Sequence, residues 1–389
     1  MRKMLSVGIV IALISTVFLM GNPVSGVATV WKLGDRVVPG PLPPNSYAGL
    51  PKSERILDIK YGDESEWQVF DFARPVVCEG QTIPLVIFFH GDGFSHRVTK
   101  DGGLRNPPSI QFLQLGFAVA SVDYRVIDDA AFPALVHDCK LAVRYFRKNA
   151  DEFGIDPDRI AVWGSSMGGY LSAFLGYVND DDGFEGIGLE DVSSSVSVIV
   201  DYFGVKAVGR IDTKQAVPNR PRFVGEKAET PEFKEKAFKA SPINYVDEND
   251  PPTLMIHGNK DTKVNYEQSI LFAQKNFEVG NNVALIKVEN AEHGFDPVPA
   301  DAVISPPNER IWFATVAHIA RYVEPDVFGD INLDGKKNID DLLEFAKVYG
   351  LSGTDEFGNS TSAYWNPLAD LEPDGKIDIK DWNKFKEIF

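Results

Sequence analysis

Six short apolar runs punctuate the middle of the chain: "IPLVIFFHG", "GFAVASVDYR", "RIAVWGSS", "SVSVIVDYFG", "PTLMIHGNKD" and "VALIKVENAEHG". Each joins branched and aromatic side chains to Gly, Asp or Asn, the composition of a strand running into a turn. The apolarity is continuous rather than alternating, so both faces of each strand must be covered, as in a parallel sheet. Between the runs lie longer segments with helical spacing. In "FPALVHDCKLAVRYFRKNADEFG", Leu135, Cys139, Val143 and Phe146 recur at intervals of three and four and form one apolar helix face. "MGGYLSAFLGYV" and "NERIWFATVAHIARYV" read as further helices. Strands alternating with helices predict a doubly wound α/β domain with a mostly parallel sheet. In that architecture ligands bind beyond the carboxyl ends of the strands, so chemistry is sought just after each run.

The two ends of the chain follow other rules. Arg2 and Lys3 precede an uncharged apolar stretch from Met4 to Met20, and "VSGVA" then offers small residues for cleavage. This is the pattern of an export signal over residues 1–28, which places the mature protein outside the cytoplasmic membrane, secreted or attached to the cell surface. The stretch is close to the roughly 18 residues that can span a bilayer, so an uncleaved membrane anchor is the alternative. A Pro-rich lead-in follows, and the α/β domain is assigned to residues 29–325. Beyond Pro325 the composition shifts: residues 326–389 hold 14 Asp and Glu against 7 Lys.

The third run carries the most informative turn. "AVWGSSMGGYLS" passes from strand to helix through Gly164, Ser165, Ser166, Met167 and Gly168, a G-x-S-x-G. A serine on so sharp a turn takes a strained backbone, and flanking glycines let strand and helix approach. The hydroxyl of Ser166 then stands above the sheet at a helix N-terminus, whose partial positive charge favours a developing oxyanion. In a chain of this length the three fixed positions match by chance roughly one time in ten. Strand before and helix after separate this match from coincidence, and Ser165 reads as filler of the turn.

A serine hydroxyl attacks only when a base takes its proton, so one of six histidines must serve. His137 and His318 lie inside helical patterns, His96 in a polar loop, and His90 and His257 end strands where each can shape a loop. His293, in "VENAEHGFD" after the last strand, is the base that allows an acid between it and the serine in chain order. Asp261 in "HGNKDTKV" is the first choice for that acid, holding the imidazole in the tautomer that accepts the serine proton. Asp201 in "VIVDYFG" and Asp296 beside His293 are rivals. "VIFFHGDGF" ends in a glycine-rich turn, so the oxyanion hole is assigned to main-chain N–H groups of Gly91 or Asp92 and of Met167.

The motifs "HGDGF", "VDYRV", "DPDRIAVWGSSMGGYLSAFLG", "ASPINYV", "HGNKDTKV" and "AEHGF" occur in this order over residues 57–323. Together they resemble the α/β-hydrolase family, and more closely its hormone-sensitive-lipase and bacterial feruloyl/acetyl esterase-like branch. The resemblance implies an α/β-hydrolase fold and a serine carboxylesterase that works through an acyl-enzyme without metal or cofactor. Asp92 departs from the family's usual H-G-G-G and bears on the hole and the acyl pocket. Lipases, amidases and peptidases share the architecture, so the fold does not name the substrate. An inactive adhesion scaffold predicts decay at Ser166, Asp261 or His293, and all three are present.

In the acidic C-terminal segment "DINLDGKKNIDD" and "DLEPDGKIDIKD" repeat one pattern. Acidic or amide groups stand at Asp330, Asn332, Asp334, Asn338 and Asp341 in the first copy and at Asp370, Glu372, Asp374, Asp378 and Asp381 in the second. A glycine sits at the sixth position of each, and Lys336 and Lys376 occupy the seventh, whose ligand is a main-chain carbonyl. Hard oxygen ligands at this spacing converge on Ca2+. The pair resembles a dockerin, which implies a small all-α domain with two EF-hand-type loops over residues 326–389 and a cohesin-like protein as a possible partner class. The spacer between the loops is long for a dockerin, and Ile339-Asp340 and Ile379-Lys380 replace the small hydroxyl residues common in cohesin binders.

Charge and cysteines refine the picture. A net charge of -17 argues against a nucleic-acid or anionic-membrane surface, because a binder of phosphate needs clustered Lys and Arg. Cys78 and Cys139 fit neither a metal knuckle nor a disulfide framework. The expected substrate is an ester, with acetyl or feruloyl groups on polysaccharide as the class that suits an exported enzyme carrying an attachment module. The segment 206–240 is short for a lid, and an open cleft suits a polymer.

Overall fold

The computed structural model describes residues 30–33, 36–39, 53–75, 82–91, 100, 102–210, 220–324, 341, 369, 377 and 379–388. The expected signal, Cys78, Asp92 and His96 lie outside them, as do Asp330, Asn332, Asp334, Lys336, Asn338, Asp370, Glu372, Asp374, Lys376 and Asp378.

All six apolar runs are strands. A short hairpin, β1 (Val30–Leu33) with β2 (Arg36–Pro39), stands apart. An eight-stranded sheet follows, made of β3 (Ser53–Lys60), β4 (Val69–Pro75), β5 (Ile83–Phe89), β6 (Ala118–Val122), β7 (Ile155–Ser165), β8 (Val198–Tyr202), β9 (Thr253–Gly258) and β10 (Val283–Val288). Its order is β10-β9-β8-β7-β5-β6-β4-β3, with β4 antiparallel to both neighbours and every other pairing parallel. Every residue of β5, β6, β8 and β9 is buried, which is what their continuous apolarity requires.

Helices cover both faces. On one lie α1 (Pro107–Gln114) and a long C-terminal helix, whose Phe112, Ile311, Val316 and Ile319 share a core layer with Val86, Trp163 and Val200. On the other, α2 (Ala134–Lys148) buries Leu135, Cys139, Val143 and Phe146, the four positions of the sequence pattern. It ends at Lys148, and α3 (Ala150–Phe153) completes the segment. Next come α4 (Met167–Tyr177), α5 (Arg220–Val224), α6 (Pro231–Lys239), α7 (Glu267–Val279), α8 (Asn308–Val323), which is the long helix of the first face, and α9 (Ile379–Ile388). Cys139 is a buried free thiol. Among the described residues no helix is long and apolar enough to cross a membrane.

One topological fact positions the site. From β5 the chain moves to β6 on one side, while β7 pairs with β5 on the other. The strand order reverses there and opens a crevice at the carboxyl ends. Phe89 lies level with Gly164, so the residues following β5 and β7 emerge side by side.

Asp250, in the turn before β9, makes stability depend on pH. Burial lifts its pKa to about 7, against hydrogen bonds accepted from the Asp247 N–H at 2.8 Å and the Asn281 amide at 3.0 Å. Between about pH 4 and 7 the native state therefore holds more protons than the unfolded chain, and stability falls as pH rises through that window. Asp250→Asn keeps both acceptor contacts. It is expected to match the wild type near pH 4 and to exceed it at pH 8 by about 1 kcal/mol, a figure discounted for solvent screening. Thermal melts at the two pH values check this.

Candidate active site

The G-x-S-x-G turn has the strain that its sequence implies. Ser166 sits between β7 and α4 with φ 57° and ψ -113°, a left-handed conformation unusual for a residue with a β-carbon. Its N–H donates to the Tyr202 carbonyl at 2.8 Å, and its carbonyl accepts from the Tyr170 N–H at 2.9 Å. A β-carbon on Gly168 would collide with the Phe89 carbonyl, and one on Gly164 with the main chain of Gly168. The two glycines are thus required by the close approach of helix to strand.

Gly91 lies against this turn. A side chain there would come 2.8 Å from the Ser165 carbonyl oxygen and 3.1 Å from the Ser166 β-carbon. The preceding His90 is buried and stacked on Tyr124 with ring centroids 4.5 Å apart, and the Tyr124 hydroxyl donates to the His90 carbonyl at 2.5 Å. These contacts fix the main chain where β5 ends. Met167, the first residue of α4, is buried, and its N–H belongs to a helical turn that has no preceding carbonyl to bond. Gly91 and Met167 therefore border Ser166 on its two main-chain sides. Asp92, the remaining residue assigned to the hole, is outside the described residues.

Three side chains distant in sequence meet here. His293 Nε2 is 2.9 Å from Ser166 Oγ, and His293 Nδ1 is 2.7 Å from Asp261 Oδ2. The carboxylate fixes the tautomer: an oxygen that can only accept faces Nδ1, so Nδ1 carries the hydrogen and Nε2 accepts from the serine hydroxyl. Asp261 Oδ1 accepts the N–H groups of Lys263 and Val264, both at 2.8 Å. Burial alone would raise the Asp261 pKa, but hydrogen bonds from His257 and His293 hold it well below the usual carboxylate range. It is an anion at any working pH.

Neither rival acid is the partner of His293. Asp201 is fully buried in an ion pair with Lys206 Nζ and accepts the Gly204 N–H at 2.8 Å. Asp296 is exposed, and the carboxylate that meets His293 Nδ1 is that of Asp261. His137 and His318 lie in α2 and α8, away from the strand ends, and burial depresses the pKa of both. Two residues at the site had no distinguishing signal in the sequence. Phe203 packs its ring against His293 with centroids 4.5 Å apart, from a main chain at φ 43°. His257 faces Asp261 from the end of β9.

An eight-stranded, mostly parallel sheet with serine, aspartate and histidine joined at its strand ends defines an α/β-hydrolase. The chain belongs to the BD-FAE family, whose pattern matches residues 70–276, more than half of its length. It is 32% identical over 248 residues to Esterase LipC of Mycobacterium tuberculosis, an alignment covering 61% of this chain and 59% of that protein. The chain thus spans less than two thirds of this relative. Among solved structures, a truncated carbohydrate esterase from gut microbiota superposes with a TM-score of 0.60 at 26% identity, covering 71% of this chain and 98% of the other. An acetyl ester-xyloside bifunctional hydrolase from Caldicellulosiruptor lactoaceticus superposes with a TM-score of 0.50 at 26% identity, covering 64% of this chain and 90% of the other.

Proposed function

We propose that this protein is a serine carboxylesterase that removes acyl groups, acetyl or feruloyl, from polysaccharide. The observation that carries the reaction type is the position of His293, within hydrogen-bond distance of Ser166 Oγ on one side and Asp261 on the other. Ser166 Oγ attacks the ester carbonyl as its proton passes to His293 Nε2. The oxyanion that forms is met by the N–H groups of Gly91 and Met167 and by the N-terminus of α4. His293 returns the proton to the departing alcohol as the carbon–oxygen bond breaks, which leaves an acyl-serine. Water then repeats the sequence: His293 takes its proton, the acid is released and Ser166 is restored. Each step uses side chains and main-chain groups of this chain.

The polysaccharide substrate is supported by the similarity to structures named as a carbohydrate esterase and an acetyl ester-xyloside hydrolase. The same reading takes the protein to be exported and residues 326–389 to be a calcium-dependent attachment module for a cohesin-like partner. Asp341 and Asp381 close the two calcium-pattern repeats at the same position, and both are buried. Asp381 lies in the first turn of α9. Buried carboxylates at equivalent positions fit a hard divalent cation in each repeat, which would be held by the six positions named above for that repeat and would supply structure, not chemistry.

A panel of acetylated and feruloylated xylans, aryl esters, long-chain lipid esters and amides, with and without a calcium chelator, tests the proposal. Faster release of acetate or ferulate from polymer than of acid from lipid esters or amides is expected, with the rate on soluble esters unchanged by chelation. Preference for long-chain esters or amides would overturn the polysaccharide reading.

A further inference from the structure

We infer that His257 is a positioning residue for the catalytic acid: a second imidazole, held in one tautomer by the acceptors at its Nε2, that donates to the same oxygen of Asp261 as His293 does. The inference rests on the reading that Ser166, His293 and Asp261 carry ester hydrolysis. His257 is fully buried at the end of β9. Its Nε2 lies 3.2 Å from Asp261 Oδ2 and 3.0 Å from the Val264 carbonyl oxygen, and its Nδ1 lies 2.8 Å from Ser269 Oγ in α7.

Hydrogen counting gives the tautomer. Both groups facing Nε2 only accept, so Nε2 carries the hydrogen. Nδ1 is then free to accept the Ser269 hydroxyl hydrogen, and a neutral ring satisfies every contact. A doubly protonated ring would turn a second donor toward Ser269 and place another cation in a dry site. The charged and titratable groups facing His257 are Asp261 from the loop after β9, Tyr266 ahead of α7, and Lys206 from the segment after β8 with its partner Asp201 from β8 itself. Burial first, and then Lys206, favour the uncharged form of His257 over the opposing pull of Asp261.

The consequence is a carboxylate with all its directions assigned. Two main-chain N–H groups hold Oδ1, and two ring N–H groups converge on Oδ2. His257 thereby restrains the rotation of Asp261 and draws off part of its negative charge. Without that donor, Asp261 loses one of the four contacts that hold its carboxylate in line with His293 Nδ1.

His257→Leu removes the donor, and His257→Gln restores an N–H at similar reach. The leucine variant is expected to lose roughly 10-fold in kcat on an aryl ester with KM within about twofold. The glutamine variant should recover most of that loss. Wild-type kcat in a folded His257→Leu enzyme, or no recovery in His257→Gln, would overturn the inference. Ring 15N spectra of the wild type provide a test that needs neither variant nor activity. His257 should show protonated Nε2 and bare Nδ1, unchanged from pH 5 to 8, and an Nδ1–H or doubly protonated ring at pH 7 would overturn it. A wild type that hydrolyses no ester in the panel would sink the esterase reading instead, with the ring spectra still deciding the tautomer.

Discussion

Ser166→Ala is expected to lower kcat/KM on any turned-over ester by at least about 1,000-fold, because the nucleophile, its base and the acid act as one unit and removing any member forfeits most of their joint effect. Activity should persist above the uncatalysed rate, since the Gly91 and Met167 N–H groups remain. Stability is expected to move the other way in a companion variant. Ser166 holds a left-handed backbone at φ 57°, which glycine adopts without steric conflict. Ser166→Gly should therefore be as inactive as the alanine variant and unfold later, by about 1 kcal/mol. Thermal melts beside initial rates read both effects.

The second large effect is expected at Asp261. In Asp261→Asn one of the two carboxylate oxygens becomes an amide donor, yet four donors converge on the group: two main-chain N–H and two imidazole N–H. With the amide toward the rings, His293 must present a bare Nδ1 to it. The hydrogen then moves to Nε2, where it faces Ser166 and blocks proton transfer. With the amide toward the main chain, two N–H groups of the 261–264 turn are left without an acceptor. The first arrangement sacrifices catalysis and the second the fold of the turn. A loss on the order of 1,000- to 10,000-fold in kcat is expected, with little change in KM. Steady-state kinetics on an aryl ester, joined to 15N spectra of the His293 ring, would reveal the altered tautomer directly.

The central strands were legible because burial on both faces leaves a strand no polar positions, as in "LVIFF" or "TLMIH". The edge strand β3 had no such signature. Most of its residues face solvent and "SERILDIK" mixes charges with apolar groups, so its pairing to β4 is a tertiary outcome that no local pattern announces. The nucleophile turn was readable for a steric reason, since only glycine fits where α4 meets β5. Asp201 and Asp261 were harder to separate, as each stands at the carboxyl end of a parallel strand. What distinguishes them is Lys206, which neutralises Asp201 in the interior and leaves Asp261 for His293. His257 was visible only as a strand-end histidine. Its partners come from the following turn and from α7, and their convergence on one ring is a property of the folded chain.

The most direct test of the central claim, that His293 activates Ser166 for attack, is reaction with a fluorophosphonate followed by mapping of the modified peptide. One adduct per chain, on Ser166, is expected, with labelling slowed strongly in His293→Ala and absent in Ser166→Ala. An unlabelled Ser166 in a preparation that hydrolyses esters, or an adduct on another serine, would contradict it.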